Sequence, residues 1–375
     1  KKIKDYFIII LGSVLISLYS FESYLLFTKN SESPKKFEIY KKNTGKEYDK
    51  RSKFEIYKDL QLINTDIKMT VYPTYYFGKD IDIFPLAMSS YSKTINCNEN
   101  GYYSIYESDR YGFNNPDKEW DQQEVEFLLV GDSFTQGACV NRPNDIASVL
   151  RILSNKSVLN LGFNDHGPLL EYATLREYLK PNVKKILWFY FEGNDLLGLK
   201  DKFSNKILSK YVSDLNFKQD LKNKQDIINI MTDELIKEEL NKNIEITQKR
   251  SSHNFFKILK LYNLRTLLAS KQEPELIPEF EMIINLANDL AVRNNSKLYF
   301  IYLPDYSRYK NKFKFENYFK IKAMMNDLDI PFIDIDKEVF KKEENPLKLF
   351  PFEQNGHYNE EGYRKVAQKI FELVK

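Results

Sequence analysis

Beyond Trp120 the chain alternates short apolar runs with stretches of helical spacing, and few architectures accommodate that rhythm. Strands are expected at Glu124 to Val130, Ser157 to Leu161, Lys185 to Tyr190, Lys297 to Leu303 and Pro331 to Ile335. Helical patterns fall between them, around Asp145 to Leu153, Leu169 to Leu179, Pro278 to Val292 and Phe315 to Leu328, and a last one covers Glu360 to Val374. Strands that alternate with helices imply a parallel sheet with helices on both faces. The expectation is an α/β fold built on a doubly wound, five-stranded parallel sheet.

The rest of the chain departs from this rhythm. From Asp201 to about residue 275 the sequence is Lys/Glu/Gln-rich and helical with no strand, which reads as an inserted helical cap or arm. Residues 29 to 120 divide into a Lys-rich stalk and a β-rich lead-in, whose short alternating stretches are broken by Pro73, Gly78, Pro85 and Gly101. Before the stalk, Tyr6 to Phe27 carries Glu22 as its only charge and follows Lys1, Lys2 and Lys4. At about 1.5 Å per helical residue this run spans a bilayer core of roughly 30 Å, and no small-x-small cleavage site follows it. Residues 1 to 28 are therefore expected to be an uncleaved anchor in the cytoplasmic membrane, and residues 121 to 375 the main domain.

Charge and sulfur content narrow the function. Lys+Arg 56 against Asp+Glu 53 gives a net charge of +3 with the lysines spread along the chain, so no nucleic acid partner is expected. Two cysteines and three scattered histidines, His166, His253 and His357, do not make a metal-ligand pattern, and no cofactor is expected. Whether Cys97 and Cys139 bridge is a matter of geometry that sequence leaves open.

A doubly wound sheet places its site beyond the carboxyl ends of its strands. Polar residues collect there: "GDSFTQG" after the first strand, "NLGFNDHGP" after the second, "FEGNDL" after the third and "PFEQNGHYNEEGY" after the fifth. Acyl transfer needs a nucleophile, a base within hydrogen-bond reach and donors aimed at the oxyanion. Ser133, His357 and the Asn194 amide with backbone N–H groups fill those roles. Asp132 would brace the turn, and Asp195 would cap neighbouring amides.

With "GDSFT", "GND" at 193 to 195 and "GHYNEEGY" in this order, the chain resembles the SGNH or GDSL-type hydrolases, and more closely their membrane-anchored bacterial members. The resemblance implies a flavodoxin-like sheet, esterase, lipase or acyltransferase activity, Ser133 and His357 as the catalytic pair, and an oxyanion loop at Gly193 and Asn194. Two positions depart from the family pattern. The glycine whose N–H faces the oxyanion is here Asp165, so the Asp165 backbone amide would serve. The acid three residues before the histidine is here Gln354, which leaves Glu353 and Gln354 as orienting candidates. The expected function is an extracytoplasmic (periplasmic) serine esterase or O-acyltransferase on acylated carbohydrates or similar esters. The alternative is a catalytically degraded binding or assembly module for extracytoplasmic glycans.

Overall fold

The computed structural model describes residues 2–248, 256–268 and 272–375, without the side chains of 27–34 and 247–248. It divides into two units, one of Lys1–Tyr48 with Lys237–Gln272 and one of Asp49–Ile236 with Glu273–Lys375.

The second unit opens with the lead-in, where β1 (Ile67–Met69), β2 (Lys93–Ile95) and β3 (Ile105–Glu107) form a small sheet. β1 pairs parallel with β2, and β2 pairs antiparallel with β3. These strands are only three residues long, so side chains satisfy much of the intervening backbone. The buried Asp109 carboxylate accepts from Tyr111 N at 2.9 Å, Phe113 N at 3.0 Å, Asn115 Nδ2 at 2.8 Å and Trp120 Nε1 at 2.7 Å. Burial still pushes that carboxyl up to about 6. Asn115 then exchanges two 2.8 Å hydrogen bonds with the Asn160 backbone, which fixes the lead-in to the main sheet.

That sheet comprises β4 (Val125–Val130), β5 (Val158–Asn160), β6 (Val183–Phe191), β7 (Lys297–Leu303) and β8 (Phe332–Asp334), all parallel. Its order is β5-β4-β6-β7-β8. This is the flavodoxin-like order, with the chain reversing direction of growth beside β4. Because successive side chains point to opposite faces, Phe127, Leu129, Leu187, Phe189 and Ile301 share one buried layer. Against it lie the helices Ile146–Ser154 and Glu360–Val374, which pack on each other. On the other face the helices Pro168–Tyr178 and Pro278–Arg293 pack together, and Tyr190 meets Phe280 with ring centroids 5.6 Å apart. Capping sets the starts: Asp145 accepts from Ser148 N at 2.9 Å and Asn359 from Gly362 N at 2.9 Å, while Pro168 and Pro278 occupy first-turn positions.

The insertion is shared between the units. Its first helices stay in the second unit, where the buried Arg176 donates to the carbonyls of Tyr211, Leu215 and Phe217 at 2.6 to 2.8 Å. In the first unit one helix, α1 (Lys2–Thr44), runs unbroken through the expected anchor and on into the stalk. Its Lys2–Leu26 portion is long and apolar enough to cross a membrane. His253 lies outside the described residues.

Candidate active site

β4 ends at Val130, and Gly131 turns the chain into a single helical turn, Ser133–Gln136. A Cβ on Gly131 would come within 2.2 Å of Thr135 Oγ1, so the turn requires glycine. Asp132 caps this turn by accepting from Phe134 N at 2.9 Å. Ser133 Oγ is thereby held at the carboxyl edge of the sheet, 2.8 Å from His357 Nε2. His357 sits just ahead of the last helix, its ring against the Phe134 ring with centroids 4.8 Å apart.

Neither Glu353 nor Gln354 orients that histidine. Glu353 is exposed, with its carboxylate accepting from Asn345 Nδ2 at 3.3 Å. Both lie in a tight turn, in which Phe352 and Glu353 have positive φ and the Gln354 N–H bonds back to Pro351 O at 2.9 Å. The acid is Glu99, which sequence reasoning missed. Its Oε1 lies 3.1 Å from His357 Nδ1, and its Oε2 accepts from the His357 backbone N–H at 2.6 Å. With Nδ1–H donated to Glu99, Nε2 is left as the acceptor for the serine hydroxyl. Gly356 makes room for this approach, since a Cβ there would come within 2.6 Å of Glu99 Oε2. Burial alone would push His357 down, but the charge and hydrogen bond of Glu99, with the charge of Asp132, hold it above the ordinary histidine value.

Glu99 belongs to the lead-in, at the turn between β2 and β3. Three contacts fix that turn. Cys97 and Cys139 form a disulfide, Asn100 Nδ2 donates to Cys139 O at 3.0 Å, and Asn98 Oδ1 accepts from Gly101 N at 3.0 Å. Cys139 Sγ lies 3.8 Å from His357 Nδ1, so the disulfide borders the site itself. The two sulfurs and His357 lie close together, but sulfurs joined to each other are not the thiolates a metal takes. Closing a loop across a separation of 42 residues restricts the unfolded chain by about 4 kcal/mol. The paired Cys97→Ala, Cys139→Ala variant is therefore expected to melt lower than wild type. Assayed well below that melting point, it should lose about tenfold in kcat/KM, because the hydrogen bonds around Asn98 and Asn100 retain part of the alignment.

The residues expected to face an oxyanion lie at the next two strand ends. Asp165 adopts φ +65°, the left-handed conformation that favours glycine. Its carboxylate accepts from the Thr74 hydroxyl, an engagement that offsets the conflict between a free carboxylate and an oxyanion. After β6, Asp195 Oδ2 accepts from Phe191 N at 2.7 Å and closes the Glu192–Asp195 turn. A side chain on Gly193 would come within 2.4 Å of the Phe191 ring and 2.7 Å of Asp305 Oδ2. Asn194 is exposed, and no described protein group is hydrogen-bonded to its side-chain amide. Asn194 and Asp165 line a cleft of about 480 Å³ with Thr74, Phe77, Leu197 and Lys202.

The buried acids and His166 serve other ends. Burial, then the charges of Glu171 and Asp132, push Asp195 well above the carboxylate range, and burial raises Asp132 and Glu171 as well. His166 is buried at the cleft wall, where desolvation and then the charge of Lys202 push it down to about 3, so it stays neutral.

Fold and site together define a class: a doubly wound α/β protein with a serine–histidine–glutamate relay at the carboxyl edge of its sheet. The sheet order is the flavodoxin-like one, with Ser133 after the first strand, Asn194 after the third and His357 before the last helix. No protein-family profile and no curated protein sequence matches the chain. Among solved structures, the chain is similar to a lipolytic protein of the G-D-S-L family from Desulfitobacterium hafniense, at 13% identity and TM-score 0.39 over 67% of this chain and 100% of that one. It is also similar to the acetyl xylan esterase AlAXEase, at 12% identity and TM-score 0.39 over 67% and 100%. A G-D-S-L lipolytic family member from Veillonella parvula gives 14% identity and TM-score 0.35 over 67% and 98%.

Proposed function

We infer that the protein is a membrane-anchored serine hydrolase of acyl esters, working through an acyl-Ser133 intermediate. The observation that carries this reading is the continuous relay of Ser133 Oγ to His357 Nε2 at 2.8 Å and His357 Nδ1 to Glu99 Oε1 at 3.1 Å. As Ser133 Oγ attacks the ester carbonyl carbon, His357 Nε2 takes its proton, and the Asn194 amide and the Asp165 N–H meet the oxygen that gains charge. The carbonyl re-forms as the ester C–O bond breaks, and the departing alcohol takes the proton from His357. Water, deprotonated by the same nitrogen, then releases the acid and restores Ser133. A sugar hydroxyl in place of water makes the reaction an O-acyl transfer.

The substrate class is an O-acylated carbohydrate or similar alcohol. A cleft that mixes Thr74, Asn194 and Lys202 with Phe77 and Leu197 supports a ligand with both hydroxyls and an apolar face. An extracytoplasmic location is supported by the disulfide, because such bonds persist mainly in oxidising compartments. The reading as a degraded binding module drew on an absent acid and an intrusive Asp165. Glu99 supplies an acid, and Thr74 engages Asp165. The test is to label the full chain with a fluorophosphonate, map the modified residue, and then assay acetylated sugars with and without an acceptor sugar. Modification at Ser133 with turnover supports the enzyme; neither labelling nor turnover gives the binding module precedence.

A further inference from the structure

The one charge inside the apolar stretch of α1 is Glu22, and its side chain is completely buried. Glu22 lies five residues before Phe27, so roughly 8 Å of helix separate it from the end of the apolar run. An ionisable group at such a depth is costly unless it finds partners. Its partners come from the insertion: Glu22 Oε1 accepts from Asn263 N and Asn263 Nδ2, each at 2.8 Å, and Oε2 accepts from Leu264 N at 2.7 Å. One turn earlier on α1, the Tyr19 hydroxyl donates to Leu259 O at 3.2 Å. Residues 256–268 are thus held against the anchor at the level of Tyr19 and Glu22. The segment reads "FKILKLYNLRTLL", helical at 256–259 and again at Tyr262–Leu268. Leu259, Leu267 and Leu268 are exposed, as are Lys260 and Arg265.

From this we propose that residues 256–268 are a second membrane-contacting element, seated in the lipid interface beside the anchor. The proposal rests on Lys2–Leu26 spanning a bilayer. Given that span, Glu22 fixes the depth of the segment. Its exposed leucines then meet acyl chains, and its basic residues meet the phosphate level, the arrangement of an interfacial amphipathic element. The observations favour lipid over a partner protein because the segment is hydrogen-bonded to the membrane-spanning helix itself, and so lies within its surroundings.

The experiment uses the full chain with one added cysteine, since both native cysteines are joined in the disulfide. An environment-sensitive fluorophore is attached at Leu268→Cys, at Ile9→Cys within the span, or at the exposed Leu215→Cys of the other unit. Each protein is reconstituted in phosphatidylcholine–phosphatidylglycerol vesicles carrying a nitroxide-labelled lipid. The proposal expects blue-shifted emission and loss of most of the fluorescence at residues 9 and 268, with little loss at 215. Quenching at residue 9 with water-like emission at 268 overturns the proposal while leaving the anchor in place. Water-like emission at both overturns the anchor reading and the proposal with it.

Discussion

Ser133→Ala is expected to lower turnover of an acyl ester by roughly 10⁶-fold, the scale seen when a serine hydrolase loses its nucleophile. The side chain has one strong partner, His357 Nε2 at 2.8 Å, and one weak one, Asp132 Oδ2 at 3.3 Å. Alanine removes the only oxygen from which the acyl-enzyme is formed, leaving the oxyanion donors with no bond to stabilise but that of a slow direct attack by water. The fold should be indifferent, because the helical turn is capped by Asp132 and packed by Phe134 rather than by the serine hydroxyl. Stability should therefore move by no more than about 1 kcal/mol, measured by denaturant titration beside the assay. Equal hydrolysis by the variant and the wild type would sink the covalent mechanism.

Most of the sheet was legible because both of its signals are local. The apolar runs at 124–130 and 297–303 are too short and too continuous to be amphipathic helices, and the structure begins and ends those strands within a residue of the expected bounds. Ser133, Asn194 and His357 stood out because each follows a glycine-marked turn at a strand end or before a helix. The structure brings Ser133 and His357 together and places Asn194 on the cleft wall. Glu99 carried no such mark. It is one acid in a short turn, separated from His357 by 258 positions, and its role exists only once the lead-in has packed. A signal was nevertheless present in Cys97, two residues before it, and Cys139, six residues after Ser133. Pairing those two thiols would have carried residue 99 to the site. The expectation of an acid just before the histidine failed for a related reason: Phe352 and Glu353 have positive φ, and the tight turn leaves the Glu353 carboxylate with Asn345.

Glu99→Gln is expected to cost about 10³ to 10⁴ in kcat, while Glu353→Ala and Gln354→Ala stay within about twofold. Glutamine keeps the shape of the side chain but not its charge, so the imidazolium that forms as Ser133 attacks loses its counter-ion. The pH profile separates this from a merely structural loss. His357 works as a base only when neutral, and Glu99 and Asp132 hold its pKa above the ordinary value against the opposing pull of burial. Wild-type kcat/KM should therefore rise with pH through an apparent pKa above about 6.5. Without the charge of Glu99 the desolvation of the ring prevails, the pKa falls, and the acid limb of the Glu99→Gln profile moves to lower pH. The deficit of the variant should accordingly shrink as the pH drops below the wild-type limb. A variant that was slower only because its turn had loosened would keep the wild-type limb, so a profile that drops without shifting would remove Glu99 from the relay.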